Sequence, residues 1–296
     1  MAAIEALGNT WGLVTPLRIT EGITNRHLSR LLKDASLEAA ELLERNVPRL
    51  GTVSGKVTNA QMEAAIRGIA PLSTELWNGV GNVTSQGIAQ MGAAAGDQAL
   101  DLDLLMGMPG TALLQYAPQA VFAAEQAVQD ILSRRTAGFT LSDRIYANGK
   151  VSVRQVERII EKNLVLQRSA KDIAREVRKF YDPKVPGGAS YAAMRLGRTE
   201  INNAHHETTK RLAQDKPWVI GMKWNLSRSH PKPDPCDAYA VHDEGLGQGV
   251  FRSAPSKPHP QCFCWLTHVH EDTETFTNKL SSGQYDDWLD ERGVVC

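Results

Sequence analysis

The chain has 296 residues, 42% hydrophobic and 22% charged, which is ordinary for a globular protein with a real core. No apolar run approaches the roughly 18 residues of a membrane span, and the opening MAAIEALGNTWGL lacks the basic start and apolar block of a signal peptide, so residence in a cytoplasm is expected. The zero net charge hides an asymmetry: residues 1–150 carry 12 Lys/Arg and 14 Asp/Glu (−2), residues 151–229 carry 16 and 8 (+8), and residues 230–296 carry 5 and 11 (−6).

In chain order, TNRHLSRLLKDASLEAAELLERN (24–46) places Leu28, Leu31, Leu32, Ala35, Ala39, Leu42 and Leu43 at helical spacing, with Thr24 as N-cap and Pro48 and Gly51 as stops. A second periodic stretch begins near Thr58 with Met62, Ala65, Ile66 and Ile69. Residues 79–110, rich in Gly and Ala, are read either as closely packed helix or as adaptable surface. PQAVFAAEQAVQDILSRR (118–135) predicts a strong helix with Val121, Phe122, Ala124, Val128, Ile131 and Leu132 on its apolar side.

Ser152-x-x-Gln155 has the form of a capping box, followed by Val156, Ile159, Ile160 and Val165. Ser169-x-x-Asp172 opens a second helix with Ile173, Val177 and Phe180 on one face. The two form a basic helical hairpin, ended by DPKVPGG (182–188). A long helix is predicted from about Ser190 to Gln214. WVIGMKWNL (218–226) alternates, so Trp218, Ile220, Met222, Trp224 and Leu226 share one face of a strand. RSHPKPDPCDAY (228–239) reads as a Pro-rich loop, FCWLTHV (263–269) as a second strand and SGQYDDWLDERG (282–293) as a small helix. The fold class is therefore α+β: a mostly helical N-terminal half, then a helical module with a small antiparallel sheet stapled by a Cys/His cluster.

That cluster is the main chemical signal. Of 4 cysteines in the chain, two lie in PSKPHPQCFCWL (255–266). Cys236, His259, Cys262 and Cys264 have the number and types of a tetrahedral structural zinc site, on loops at both ends of a strand pair. His230, Asp234 and Asp237 are substitute ligands. The other reading is a tight buried thiol cluster beside a loop histidine. His242-Asp243-Glu244 followed by Pro-x-Cys-x-Cys partly matches the H-x-E and P-C-x-x-C of zinc nucleobase deaminases, with one residue between the cysteines instead of two. Arg198 and Asn202, at i and i+4, share one helical face, Thr199, Asn203 and His206 form an adjoining polar stripe, and Arg198, Glu200 and Asn202 are expected to form a structural polar network. No GxSxG, P-loop or HExxH occurs.

An Arg-Thr-Glu helix, a Trp-containing strand, a Pro-rich loop with Asp and Cys, and a closing His-Pro-x-Cys-x-Cys segment follow one another here. That order resembles the phage Mu F-like head morphogenesis family, the minor head proteins of tailed phages. The resemblance covers roughly residues 150–270, and HPQCFCWL (259–266) is its most specific part. The family typically ends in His-Pro-x-Cys-Arg-Cys, whereas Phe263 stands here in place of Arg. A single Cys236 stands where relatives often have a pair.

The resemblance implies a virion component in the head interior or at the portal vertex, made in the host cytoplasm and not an enzyme. Implied partners are the portal protein, the major capsid or scaffold protein, and DNA, with multiple copies per virion. It divides the chain into a helical interaction region (1–150), a Mu F-like domain (151–270) and an acidic tail with a short helix (271–296). Lys162, Arg168, Lys171, Arg175, Arg178 and Lys179 are the expected contacts to DNA or an acidic partner. Neutralisation of the basic block by the acidic end is the competing reading of the charge. The competing function is a zinc-dependent enzyme or toxin module of deaminase or nuclease type, using His242, Glu244 and the cysteines.

Overall fold

A computed structural model describes residues 11–46, 59–166, 168, 170–182, 184–227, 230 and 233–294. Among the described residues, six helices come first: α1 (Trp11–Asn46), α2 (Asn59–Leu105), α3 (Gly110–Ser133), α4 (Leu141–Val165), α5 (Ala170–Phe180) and α6 (Ala189–Gln214). Then follow β1 (Val219–Asn225), α7 (Pro235–Val241), β2 (Val250–Phe251), β3 (Trp265–His270), α8 (Thr273–Ser281) and α9 (Asp286–Asp290). The α+β class holds, with one three-stranded antiparallel sheet in the order β2-β1-β3. No helix among the described residues is long and apolar enough to cross a membrane. The chain folds into two compact units that interleave along the sequence: residues 22–85 with 133–198, and residues 1–21 with 86–132 and 199–296.

In the unit of residues 22–85 and 133–198, α1 buries Leu28, Leu32, Ala35 and Ala39, one residue per turn. They pack with Ile69, Leu72, Leu76 and Trp77 of α2, Val156 and Ile160 of α4, and Ile173, Val177 and Phe180 of α5. Polar bonds are buried in this core as well, among them one from the Ser190 hydroxyl to the Tyr181 carbonyl. Trp77 Nε1 donates to Ser152 Oγ (2.8 Å), and Ser73 Oγ bonds Tyr181 OH (2.8 Å).

Three expectations change here. Thr24 is not an N-cap, because α1 already runs from Trp11 and Thr24 is buried inside it. Pro48 and Gly51 lie outside the described residues. Ser152 does not start a helix either. The capping pair is Thr140 and Asp143, whose side chains each accept the other's backbone N–H (3.1 and 2.9 Å), so α4 starts eleven residues earlier and Ser152 serves as Trp77's acceptor. Val165 ends α4 beyond the core and is 83% exposed.

In the other unit, the Gly/Ala-rich stretch is helix as far as Leu105 and is closely packed: a Cβ on Gly92 would collide with Val128. Because α3 begins at Gly110, its buried stripe runs through Ala112, Tyr116, Ala120, Ala124, Ala127 and Ile131. Val121 and Phe122, predicted on the apolar side, face outward at 47% and 60% exposure. Trp218 is the hub of an aromatic cluster with Phe276, Tyr285 and Trp288, at ring separations of 4.6–5.7 Å. Its Nε1 donates to Asp103 Oδ1 (2.9 Å), and Asp103 also holds the fully buried ammonium of Lys216.

The β1–β3 pairing sets Met222 opposite His268 and Trp224 opposite Leu266. A register irregularity between Val219 and Gly221 breaks the predicted alternation, so Ile220 is 40% exposed while Met222 and Trp224 are buried. The predicted loop 228–239 contains the start of α7, and α8 adds a helix that the sequence pattern does not announce.

Candidate metal centre

The centre begins with local backbone chemistry around α7. Asp234 is the N-cap: its Oδ1 accepts the Cys236 N–H (2.8 Å), and Asp237 Oδ2 accepts the Asp234 N–H (3.0 Å). Pro235 occupies the first turn, where its missing N–H costs nothing. This capping box fixes Cys236 with its side chain inward and fully buried. The ring of His230 braces the same turn, with Nε2 on Asp237 Oδ1 (2.9 Å) and Nδ1 on Ser227 O (3.0 Å).

The second half comes from the segment before β3. Gln261 adopts a left-handed backbone (φ +59°), and the turn it makes brings His259 and Cys262 to the same place. Gln261 N donates to Thr199 Oγ1 on α6 (3.0 Å), and His206 Nε2 on the same helix bonds Pro255 O (2.8 Å). The Arg-Thr-Glu helix and the His-Pro-x-Cys-x-Cys segment are thus in direct contact. Lys257 Nζ closes the loop by donating to the carbonyls of Cys262 (2.9 Å) and Cys264 (2.6 Å).

Three of the four predicted ligands converge. The ligand atoms of Cys236, His259 and Cys262 all lie within 4.8 Å of one another. Cys236 Sγ is 3.5 Å from Cys262 Sγ and 3.8 Å from His259 Nε2. Tetrahedral zinc with ordinary bond lengths would set those separations at about 3.8 and about 3.6 Å. His259 Nδ1 contacts Pro260 O (2.9 Å), the second bond that turns Nε2 toward a metal. This group can hold a metal ion. Cys264 adjoins it without belonging to it: it is fully buried, and its Sγ accepts the Ser227 N–H (3.4 Å).

The thiols are electrostatically unequal. A hydrogen bond from the Cys264 thiol, with the Lys257 ammonium nearby, holds Cys262 down to about 5, in the thiolate range that metal binding needs. Cys264, as the donor, is pushed up. Burial, then the neighbouring Cys262, pushes Cys236 up to about 12. Burial opposes ionisation of Asp234, but the Cys236 N–H and His259 outweigh it and its carboxyl sits below the usual range.

The remaining site residues fall elsewhere. His242 and Glu244 pair with each other at the surface (3.2 Å), His242 stacks on Phe251 (4.5 Å), and neither joins the Cys/His group. Lys162, Arg168, Arg175, Arg178 and Lys179 are all exposed, and the side chain of Lys171 lies outside the described residues. Arg175 and Lys179 are ion-paired with Asp172 (3.0 Å) and Glu176 (2.9 Å). Arg198 donates to Asn25 Oδ1 (3.1 Å), while Glu200 and Asn202 are buried. Sequence reasoning missed Lys257, although it lies within PSKPHPQCFCWL. A lysine between two prolines carries no pattern that announces carbonyl binding. No known protein family, curated protein or solved structure matches the chain.

Proposed function

We propose that the chain is a minor head protein of a tailed phage, of the Mu F-like head morphogenesis type. In this reading it sits at the portal vertex in multiple copies and acts in head assembly and in DNA packaging or ejection, without catalysing a reaction. One observation supports it above the others. The two motifs that carry the resemblance meet through the Gln261–Thr199 bond, and the segment they frame supplies His259 and Cys262 to the group completed by Cys236.

The metal is a structural zinc. When bound, it cross-links α7 to the segment entering β3 and so closes a small sheet whose own core is modest. The buried, backbone-braced thiols suit a staple. The helices of the N-terminal half bind portal or capsid protein. Lys162, Arg168 and Arg178, which have no ion-pair partner among the described residues, meet DNA phosphate or an acidic portal surface. The test is sedimentation of assembled heads followed by mass spectrometry. Presence of the chain in portal-containing particles is expected, and its absence from complete particles would overturn the proposal.

A further inference from the structure

Beside the Cys/His group lies a carboxylate that the three-residue set does not use. Asp234 Oδ2 is 2.9 Å from His259 Nε2, the same nitrogen that faces Cys236. The Asp234 side chain is only 4% exposed, and its other oxygen is tied to the Cys236 N–H. The carboxylate is therefore held rigidly at the cluster by the cap of α7. The contacts run in a chain from Cys262 to Cys236 to His259 to Asp234, at 3.5, 3.8 and 2.9 Å. The corresponding edges of one zinc tetrahedron are about 3.8, 3.6 and 3.4 Å. These three contacts match three of the six edges of the tetrahedron to within about half an ångström, and Asp234 itself lies outside the set whose ligand atoms are all mutually close.

Cys264 has no such relation to the imidazole. Like Asp234, it lies outside the set whose ligand atoms are all mutually close, but its sulfur is engaged by the Ser227 N–H and not by the imidazole.

We infer that Asp234 takes the fourth position, so that the site holds a divalent cation of zinc type on two thiolates, one imidazole and one carboxylate, with Cys264 outside as a hydrogen-bonding thiol. This rests on the metal-bound reading of the group given above. The ion would sit where His259 Nε2 and Asp234 Oδ2 face each other. The edge of His259, 28% exposed, gives it a path in.

The experiment is X-ray absorption at the zinc edge on the full-length, zinc-loaded, reduced protein. Two sulfurs at about 2.3 Å and two lighter ligands at about 2.0–2.1 Å are expected. Three sulfurs and one light ligand would overturn the inference and leave the metal site standing. Failure of the reduced protein to take up zinc would overturn both. Two variants sharpen the result. Cys264→Ser should keep the two-sulfur spectrum. Asp234→Asn preserves the helix cap, because Asn caps as well as Asp, yet should weaken zinc binding by more than the roughly tenfold to hundredfold that losing a mere hydrogen-bond partner of a ligand costs. Zinc affinity unchanged in Asp234→Asn would count against the carboxylate ligand.

Discussion

Lowering the pH from about 7 to about 5 should unfold the unit that contains the sheet, because three histidines are sealed in it as neutral rings. His205 bonds Gln98 Oε1 (3.0 Å), His206 bonds Pro255 O and His268 bonds Thr209 O (2.9 Å). Nδ1 of both His206 and His268 has no hydrogen-bond partner. The charged groups facing them are mostly cationic: Lys257 toward His205 and His206, Lys210 toward His206, and Lys216 toward His268, where Asp103 partly compensates. Burial first, and these cations second, push all three down to about 3 from 6.5. The unfolded chain protonates them near the ordinary value. Their contribution is thus complete above about pH 6.5 and is lost as the pH falls toward 3. At about pH 5 each costs about 2 kcal/mol, together about 6, which is comparable with the whole stability of many domains. Urea unfolding followed by tryptophan fluorescence across this range would show it, since Trp218 and Trp224 are buried in the same unit. His268→Gln should reduce the slope by about one proton without touching the Cys/His group, so metal loss cannot imitate the effect. A midpoint that stays flat from about pH 7 to 5 would mean that the fold does not hold these three rings neutral.

Further expectations concern other parts of the chain. Lys216→Met leaves the buried Asp103 carboxylate without its cation and should cost about 3–5 kcal/mol in chemical denaturation, with much of it recovered in Lys216→Met/Asp103→Leu. Ser152→Ala removes the acceptor of the buried Trp77 N–H and should cost about 1–3 kcal/mol, measured the same way. In DNA binding titrated against salt, Arg168→Ala or Arg178→Ala should lower the slope by about 0.9 for each phosphate left without its cation. Arg175→Ala and Lys179→Ala should change it less, because Asp172 and Glu176 already neutralise those side chains.

What the sequence made legible was what local pattern determines. The α5 stripe of Ile173, Val177 and Phe180 and the extent of α6 both follow from helical spacing. The convergence of Cys236, His259 and Cys262 follows from ligand chemistry. The misreadings arose where a local signal had a tertiary use. Ser152 and Gln155 have the spacing of a cap, but a serine inside a helix can instead accept from a tryptophan on another helix, and nothing local distinguishes the two. Val121 and Phe122 fit the predicted apolar side, but the face that packs runs through Ala120, Ala124, Ala127, Val128 and Ile131 and leaves both outside it. Ile220 fell to a sheet irregularity that one strand cannot announce. Around the Cys/His group, Lys257 and the bond from Gln261 to Thr199 depend on chain segments more than fifty residues apart or on backbone carbonyls, and composition records neither.

The claim on which the rest depends is that the Cys/His group holds a structural metal. Elemental mass spectrometry of the full-length protein, purified under reducing and chelator-free conditions, tests it most directly. About one zinc per chain is expected, lost together with the cooperative unfolding transition in Cys262→Ser. Metal-free protein that is fully folded, and equally stable in Cys262→Ser, would contradict it.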